Sequence, residues 1–271
     1  MVAGRPLGRV PVVVTIAGSD SGGGAGIQAD LKTFEAFGLW GTCALTGVTA
    51  QNTVGVHDSL VLPPPLVRAQ IDAVADDFDV AAAKTGMLGS AAVIEVVAAA
   101  VADHGLSPLV VDPVLVTSHG ELLLEAGAIE VLRDVLLPKA AVLTPNIPEA
   151  EALLGHPLGG VDGMEAAARE LAELGAAAVL IKGGHLTGED SPDLLWSEGR
   201  ALWLGGPRVP GRNTHGTGCT LSAAICALLA SGLPLHRACR EAKDFVTRAI
   251  AGGLDVGHGV GPVNPGWARQ R

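Results

Sequence analysis

The chain has 271 residues, of which 48% are hydrophobic and 17% are charged, and this composition excludes a disordered chain. Its length fits one large α/β domain over residues 1–271 better than two separate cores. The 18 basic and 28 acidic residues give a formal net charge of −10, and without a basic run this argues against a nucleic-acid partner or an anionic membrane surface.

The N-terminal sequence carries no targeting or membrane signal. Its apolar run of about seven residues is too short for a signal peptide, and no stretch reaches the roughly 18 apolar residues of a membrane span. The four cysteines have no metal-ligand spacing. We therefore expect a cytoplasmic protein, with residues 1–10 as a flexible N-terminus.

Short apolar runs, typical of buried strands, alternate along the chain with longer helical patterns. A strand over residues 12–18 is followed by an amphipathic helix over 27–38. A second strand over 43–51 is followed by a helix over 64–78 that has proline at its start, where the missing N–H costs nothing.

The alternation continues with a strand over residues 80–88 and a helix over 90–105. Three further strands, with helices between them, are predicted over 108–114, 141–146 and 177–184. Residues 193–209 have hairpin character, with Ser-Glu-Gly at the turn. Continuous apolar strands separated by helices predict a mostly parallel sheet that is covered by helices on both faces.

Polar residues or glycines punctuate the carboxyl ends of six predicted strands. Because ligands of such sheets bind outside the carboxyl ends of the strands, these six ends predict one active-site rim. They are Gly18-Ser19-Asp20, Gln51-Asn52, Lys84-Thr85-Gly86, Asp112-Pro113, Thr144-Pro145-Asn146 and Lys182-Gly183-Gly184-His185.

The first rim segment, GSDSGGGAGIQAD at residues 18–30, lets the backbone approach a ligand closely before a helix begins. It is a poor dinucleotide fingerprint because strand two ends in Ala50-Gln51-Asn52 without an acidic residue, and GxxxxGK[ST] is absent. A plain connecting turn is the alternative. Asp30 lies about one turn into the helix, either as a solvated acid or as a hydrogen-bonding group for a substrate.

Three further polar segments could serve a magnesium polyphosphate. Asp112, held at a strand end by Pro113, is placed to position Mg²⁺ or its waters. Asn146 and Glu149 span a helix start, as a local cap or as a polar pair that faces the site. Lys182 ends a hydrophobic strand and either reaches a polyphosphate or extends its ammonium to solvent.

The segment Gly216-Thr217-Gly218-Cys219 stands at the start of an alanine-rich helical pattern. Successive unpaired N–H groups at the positive end of a helix form an anion hole that suits a γ-phosphoryl group. A structural glycine-rich helix start is the alternative.

As an ordered set, these segments resemble the ribokinase-like superfamily and, within it, the hydroxymethylpyrimidine/phosphomethylpyrimidine kinases of thiamine biosynthesis. The residues that carry the resemblance are AGSDSGGGAGIQADLKTF (17–34), VTAQNTVGV (48–56), KTGML (84–88), VDPV (111–114), TPNIPEA (144–150), KGGH (182–185) and NTHGTGCTLSAA (213–224).

The resemblance implies a three-layer α/β/α fold, ATP with Mg²⁺, and a homodimer. It also implies two successive phosphorylations of 4-amino-5-hydroxymethyl-2-methylpyrimidine, first to the monophosphate and then to the diphosphate. The catalytic residues that it implies are Gly216, Thr217, Gly218 and Cys219. Gly18, Asp30, Gln51, Met87 and Val114 would line the pyrimidine pocket, Asn146, Lys182, Thr214 and Lys243 would bind the nucleotide, and Asp112 and Glu149 would position Mg²⁺.

Cys219 stands where related sugar kinases carry an aspartate base. We expect the helix start to lower the pKa of the thiol, so that a thiolate accepts the hydroxyl proton in the first transfer. A neutral thiol would also avoid repelling the monophosphate in the second. The alternative is a packing residue. Ser118 departs from the family, since a lysine is common near its position.

Two other functions remain open at this point. A ribokinase-like kinase that acts on pyridoxine or pyridoxal would use a ring of similar size. A non-catalytic protein that captures the pyrimidine or a nucleotide is the alternative from another class, although it would not need the carboxylates that position a metal.

Overall fold

The structure is a computed structural model that describes residues 10–115, 124–125, 127–186 and 188–267, apart from the side chain of His185. The expectations for the N-terminal residues 1–9 and for Ser118 lie outside these residues. Within the described part of the chain, no helix has both the length and the apolar character needed to cross a membrane.

A nine-stranded sheet forms the centre of the fold, with the strand order β3-β2-β1-β4-β5-β6-β7-β8-β9. The six strands from β2 to β7 in this order are parallel, whereas β3, β8 and β9 run antiparallel to their neighbours. The strands are β1 (Val12–Asp20), β2 (Trp40–Gln51), β3 (Val56–Val61), β4 (Val80–Thr85), β5 (Leu109–Val111), β6 (Val142–Leu143), β7 (Ala178–Ile181), β8 (Asp193–Ser197) and β9 (Arg200–Leu204).

Helices cover both faces of the sheet. The helices are α1 (Gly26–Ala36), α2 (Pro64–Ala75), α3 (Ala91–Asp103), α4 (Ala128–Val131), α5 (Ile147–Leu154), α6 (Met164–Glu173), α7 (Thr217–Ala230) and α8 (Leu235–Ala251). One hydrophobic core lies under α1, α7 and α8, and a second lies under α2 to α6. The predicted three-layer α/β/α fold with a mostly parallel sheet is confirmed.

Of the strands at the two edges of the sheet, the sequence pattern predicts the β8–β9 hairpin but not β3. The hairpin of β8 and β9 is confirmed, and its turn places Glu198 and Gly199 at φ +51° and +73°, the left-handed pair typical of tight hairpins. Strand β3 was not predicted, because five of its six residues are exposed and no apolar run marks it. It pairs with β2 after a turn in which Asn52 Oδ1 accepts hydrogen bonds from the N–H of Val54 and Gly55.

Candidate active site

A cavity of about 830 Å³ lies at the carboxyl ends of the parallel strands. This is the position of the active-site rim that the polar residues at the strand ends predict. Every predicted site residue except Asp30 lines this cavity. The strand order separates the two ends of the cavity. Strands β1, β2 and β4 lie on one side of β5, whereas β7 and β8 lie on its other side. Gly18, Gln51 and Met87 therefore belong to one end, and Gly184 and Asp193 belong to the other.

Asp20, which the sequence marked only as a polar strand end, organises the glycine-rich loop after β1. Its carboxylate accepts hydrogen bonds from the N–H groups of Gly22, Gly24 and Ala25 at 2.8, 3.0 and 2.8 Å. Nε2 of His215 lies 2.9 Å from Oδ2. Burial raises the pKa of Asp20, but these hydrogen bonds outweigh burial and hold that pKa below its usual range. Its sequence signal is an aspartate two residues before a glycine run.

The loop before α7 packs directly on the glycine-rich loop. Gly216 has φ +82°, and a Cβ there would overlap the carbonyl oxygen of Gly24. A Cβ on Gly24 would in turn overlap the ring of His215. The backbone N–H of His215 donates to the carbonyl of Gly261 at 3.1 Å. Gly216 is therefore required by a close approach of backbone to backbone, and Gly24 by the close approach of an imidazole ring.

Helix α7 begins at Thr217, directly after Gly216, as the anion-hole interpretation expects. A Cβ on Gly218 would lie 3.3 Å from Nζ of Lys182 and 3.8 Å from Oδ2 of Asp112. The N–H groups of the first helical turn therefore stand beside one buried ammonium and one buried carboxylate. Thr217 Oγ1 is held by the carbonyl of Thr214 at 2.6 Å.

Asp112, Glu149 and Lys182 form a charged cluster at the centre of the cavity. Nζ of Lys182 lies 2.9 Å from Oδ1 of Asp112 and 3.7 Å from Oε2 of Glu149. Burial raises the pKa of Asp112, but Lys182, Lys84 and a hydrogen bond from Ser222 hold it below its usual range. Burial raises the pKa of Glu149, against the effect of Lys182. Lys182 does not extend to solvent, since its side chain is only 13% exposed.

Both interpretations of Asn146 and Glu149 hold together. Asn146 caps α5 by accepting from the N–H of Glu149 at 2.9 Å, and Oε2 of Glu149 accepts from the N–H of Asn146 at 2.8 Å, which completes a capping box. Both residues also line the cavity. The N–H of Lys182 donates to the carbonyl of Pro145 at 2.8 Å, which fixes β7 beside this cap.

The donor set fits a hydrated magnesium ion. Among the described residues, no group of three or more His, Cys, Asp or Glu could hold a metal. Mg²⁺ usually keeps several waters and takes only one or two carboxylates together with substrate phosphates. Asp112 and Glu149, about 2% and 4% exposed, supply such a pair.

Asp30 does not lie where the pyrimidine-pocket expectation puts it, nor is it a solvated acid. It is wholly buried, and Oδ2 accepts hydrogen bonds from Lys84 Nζ at 2.8 Å and Thr15 Oγ1 at 2.6 Å. Burial raises its pKa, against the effect of Lys84. Lys84 is also wholly buried and lines the cavity, so Asp30 acts on the site through its ion pair with Lys84 and through its charge, not by lining the cavity. The sequence marked Lys84 only as a polar strand end.

At the acceptor end, Gln51 and Met87 contact neighbouring loops and strands. Gln51 Nε2 lies 3.2 Å from Nε2 of His215. The Met87 side chain fills space left by Gly18, because a Cβ on Gly18 would lie 2.5 Å from Met87 Cε. Val114 has φ +38°, a conformation that is strained for a β-branched residue and is found mainly at functional sites.

The structure does not support the thiolate expected at Cys219. Burial raises the pKa of this thiol to about 11, although Lys84 and an N–H bond from Gly26 oppose the shift. Asp30 and Asp112 add to the rise. Desolvation therefore outweighs the effects that favour a thiolate, and Cys219 is a neutral thiol at pH 7. Its side chain remains partly accessible from the cavity.

Comparison with known proteins finds kinases both by sequence and by fold. Residues 20–264 match the family model "Phosphomethylpyrimidine kinase". A hydroxymethylpyrimidine/phosphomethylpyrimidine kinase of Haemophilus influenzae is 49% identical over 98% of this chain and all of its own. A thiamine biosynthesis bifunctional protein of Geobacter sulfurreducens is 48% identical, over 93% of this chain and 51% of that protein.

Among solved structures, an ADP complex of a Bacillus subtilis pyridoxal kinase superposes with a TM-score of 0.90 at 38% identity. The match covers 97% of this chain and all of that one.

Proposed function

This chain belongs to the phosphomethylpyrimidine kinase family, and we propose that it phosphorylates 4-amino-5-hydroxymethyl-2-methylpyrimidine twice. The first transfer from ATP gives the monophosphate and the second gives the diphosphate, for thiamine biosynthesis. The enzyme is a kinase. The names of its relatives and the resemblance of its motifs support this acceptor.

One observation carries the assignment of the chemistry to this cavity. The start of α7 faces Lys182 and Asp112, between the two ends of the cavity. Phosphoryl transfer depends mainly on positioning and on stabilisation of the charge of the transferred group. The N–H groups of Gly216 and Gly218 would hold the γ-phosphoryl oxygens while Lys182 neutralises their charge. The N–H of Thr217 already donates to the carbonyl of Thr214 at 3.2 Å, so Thr217 shapes this turn.

The two substrates occupy the two ends. Gly18, Gln51, Met87 and Val114 would hold the pyrimidine ring, with the Gln51 carboxamide reading its ring nitrogen and amino group. Asn146, Lys182 and Thr214 would bind the nucleotide, and all three line the cavity. Asp112 and Glu149 would hold Mg²⁺, partly through water, and the ion would neutralise phosphate charge when bound. A reducing, ATP-containing cytoplasm suits an enzyme with a free thiol in its site.

The test of this function is ATP consumption by the purified protein with three additions: the pyrimidine, its monophosphate, and pyridoxal. Consumption that depends on the pyrimidine and its monophosphate supports the assignment. Pyridoxal is the second candidate acceptor, because a pyridoxal kinase shares the fold at TM-score 0.90. Consumption with pyridoxal alone would overturn the assignment, and no consumption with any acceptor would favour a binding protein.

Cys219→Asp is expected to impair the second phosphorylation on the order of 100-fold more than the first, since a fixed carboxylate a few ångströms from the monophosphate repels it. Asp112 and Asp30 already raise the pKa of Cys219, so a further negative charge at this position is unfavourable. Separate kcat/KM measurements on the pyrimidine and on its monophosphate check this. Cys219→Ser, which stays neutral, should keep the ratio of the two steps near that of the unsubstituted enzyme. A greater loss in the first step for Cys219→Asp would contradict this role.

We also propose a homodimer formed through the β3 edge of the sheet. Four apolar side chains are exposed on or beside this edge, Val48, Val54, Leu60 and Val61, and exposed apolar side chains next to an unpaired edge strand favour association. Leu60→Asp should raise the dimer dissociation constant on the order of 100-fold if Leu60 is a central contact. Sedimentation equilibrium measures this. Trp203→Asp on the opposite edge strand is the matched control, and equal constants for the two variants would contradict the interface.

A further inference from the structure

A second ion pair borders the cavity beyond the charged cluster. Lys243 on α8 donates from Nζ to Oδ2 of Asp193 at 2.8 Å and to the carbonyl of Ser191 at 2.7 Å. Both side chains line the cavity, and both residues are less than a tenth exposed. The resemblance assigned Lys243 to the nucleotide, but two short bonds to the protein already engage its ammonium.

The same carboxylate holds the turn that follows Lys182. Oδ1 of Asp193 accepts from the N–H of Gly183 at 2.9 Å. Gly183 lies so close to the residue before β8 that a Cβ on Gly183 would overlap the carbonyl oxygen of Pro192. Asp193 therefore joins three parts of the chain: the turn after β7, the start of β8, and α8.

Neighbouring contacts complete one continuous wall. The N–H of Ser191 donates to the carbonyl of Gly206 at 3.0 Å, and a Cβ on Gly206 would lie 3.2 Å from Cε of Lys243. The guanidinium of Arg208 binds the carbonyls of Gly184 and Leu186 at 2.8 and 2.5 Å. Since this wall lies on the β7 and β8 side of the anion hole, away from Gln51 and Met87, it faces the nucleotide.

We propose that Asp193 and Lys243 are positioning residues for the nucleotide end of the cavity, with their ion pair fixing the Gly183-Gly184 turn and, through it, Lys182. This inference rests on the proposed use of ATP. Lys243 acts through Asp193 and does not bind phosphate itself. Loss of either partner of the ion pair frees the turn. Substitution of Asp193 or of Lys243 should therefore weaken nucleotide binding and leave pyrimidine binding unchanged.

The test compares Asp193→Asn, Lys243→Met and the double variant. Asn keeps an acceptor for the N–H of Gly183 but presents no charge to the ammonium, and Met keeps the length of the lysine stem. Each single variant should raise the KM for ATP and the dissociation constant for ADP by roughly 10-fold to 100-fold, with the KM for the pyrimidine unchanged. Because the pair acts as a unit, the double variant should be no worse than either single one.

Glu241→Gln is the matched control, because Glu241 forms an exposed ion pair with Arg237 on the same helix at 2.9 Å. It should bind ADP like the unsubstituted protein. Circular dichroism at the assay temperature verifies folding. Asp193→Ser, which also removes the carboxylate, takes the place of Asp193→Asn if that variant does not fold.

Three results would overturn the inference. In the first, Lys243→Met alone weakens ADP binding and Asp193→Asn does not, which would make Lys243 a direct contact. In the second, the KM values for ATP and for the pyrimidine rise equally, and in the third the variants lose thermal stability with unchanged ADP binding. Absence of ADP binding by the unsubstituted protein would instead overturn the proposed function, and this inference with it.

Discussion

Gly216→Ala is expected to lower kcat for both phosphorylations by about 100-fold to 1000-fold, the loss typical of a disrupted oxyanion hole. Gly216 has φ +82°, and its Cβ would overlap the carbonyl oxygen of Gly24. The loop before α7 must therefore shift away from the glycine-rich loop. That shift moves the N–H groups that would face the γ-phosphoryl group.

Gly232→Ala separates this effect from simple backbone strain. Gly232 has the same φ of +82° and follows the other end of the same helix, but a Cβ added there would meet no atom within 4 Å. Both variants suffer the cost of a left-handed alanine, on the order of 1 kcal/mol. Steady-state kcat with ATP and the pyrimidine should fall only in Gly216→Ala. Equal kcat values for the two variants would contradict an anion hole at this turn.

Lys84→Met is expected to lower the free energy of unfolding by about 3–5 kcal/mol, because it leaves a wholly buried carboxylate without its partner. Lys84 and Asp30 are both 0% exposed and lie 2.8 Å apart. Urea unfolding near neutral pH measures the loss. The variant Lys84→Met/Asp30→Asn should recover most of it, since both charges are then gone and Asn still accepts from Thr15.

The loss should depend on pH. Without Lys84, burial raises the pKa of Asp30 further above its unfolded value. A carboxyl with a raised folded pKa gives stability at low pH that is lost as the pH rises through that pKa, so the deficit should shrink from about pH 7 to about pH 5. Arg237→Met, which breaks an exposed pair, should cost at most about 1 kcal/mol. An equally small loss for Lys84→Met would contradict the buried pair.

The sheet and the rim of the cavity could be predicted because their signals are local. An apolar run marks each parallel strand, and the carboxyl ends of parallel strands meet at one edge, so Asp112, Asn146 and Lys182 could be placed together from the sequence. Strand β3 had no such signal, since an exposed edge strand does not need apolar residues.

The partners within the site could not be predicted, because they are distant in sequence. Asp30 meets Lys84 only when α1 packs on the sheet, and 54 positions separate the two residues. Lys243 meets Asp193 across 50 positions. The expectation of a thiolate at Cys219 is wrong for a similar reason. The helix start was visible in the sequence, but the desolvation that opposes it depends on the surrounding residues.

The most direct test of the double phosphorylation is mass-resolved detection of products from hydroxymethylpyrimidine, ATP and Mg²⁺. The monophosphate should form first and then decline as the diphosphate accumulates, with Gly216→Ala forming little of either. Gly232→Ala should follow the unsubstituted enzyme. Accumulation of the monophosphate without any diphosphate, or ATP hydrolysis without a phosphorylated pyrimidine, would contradict the account.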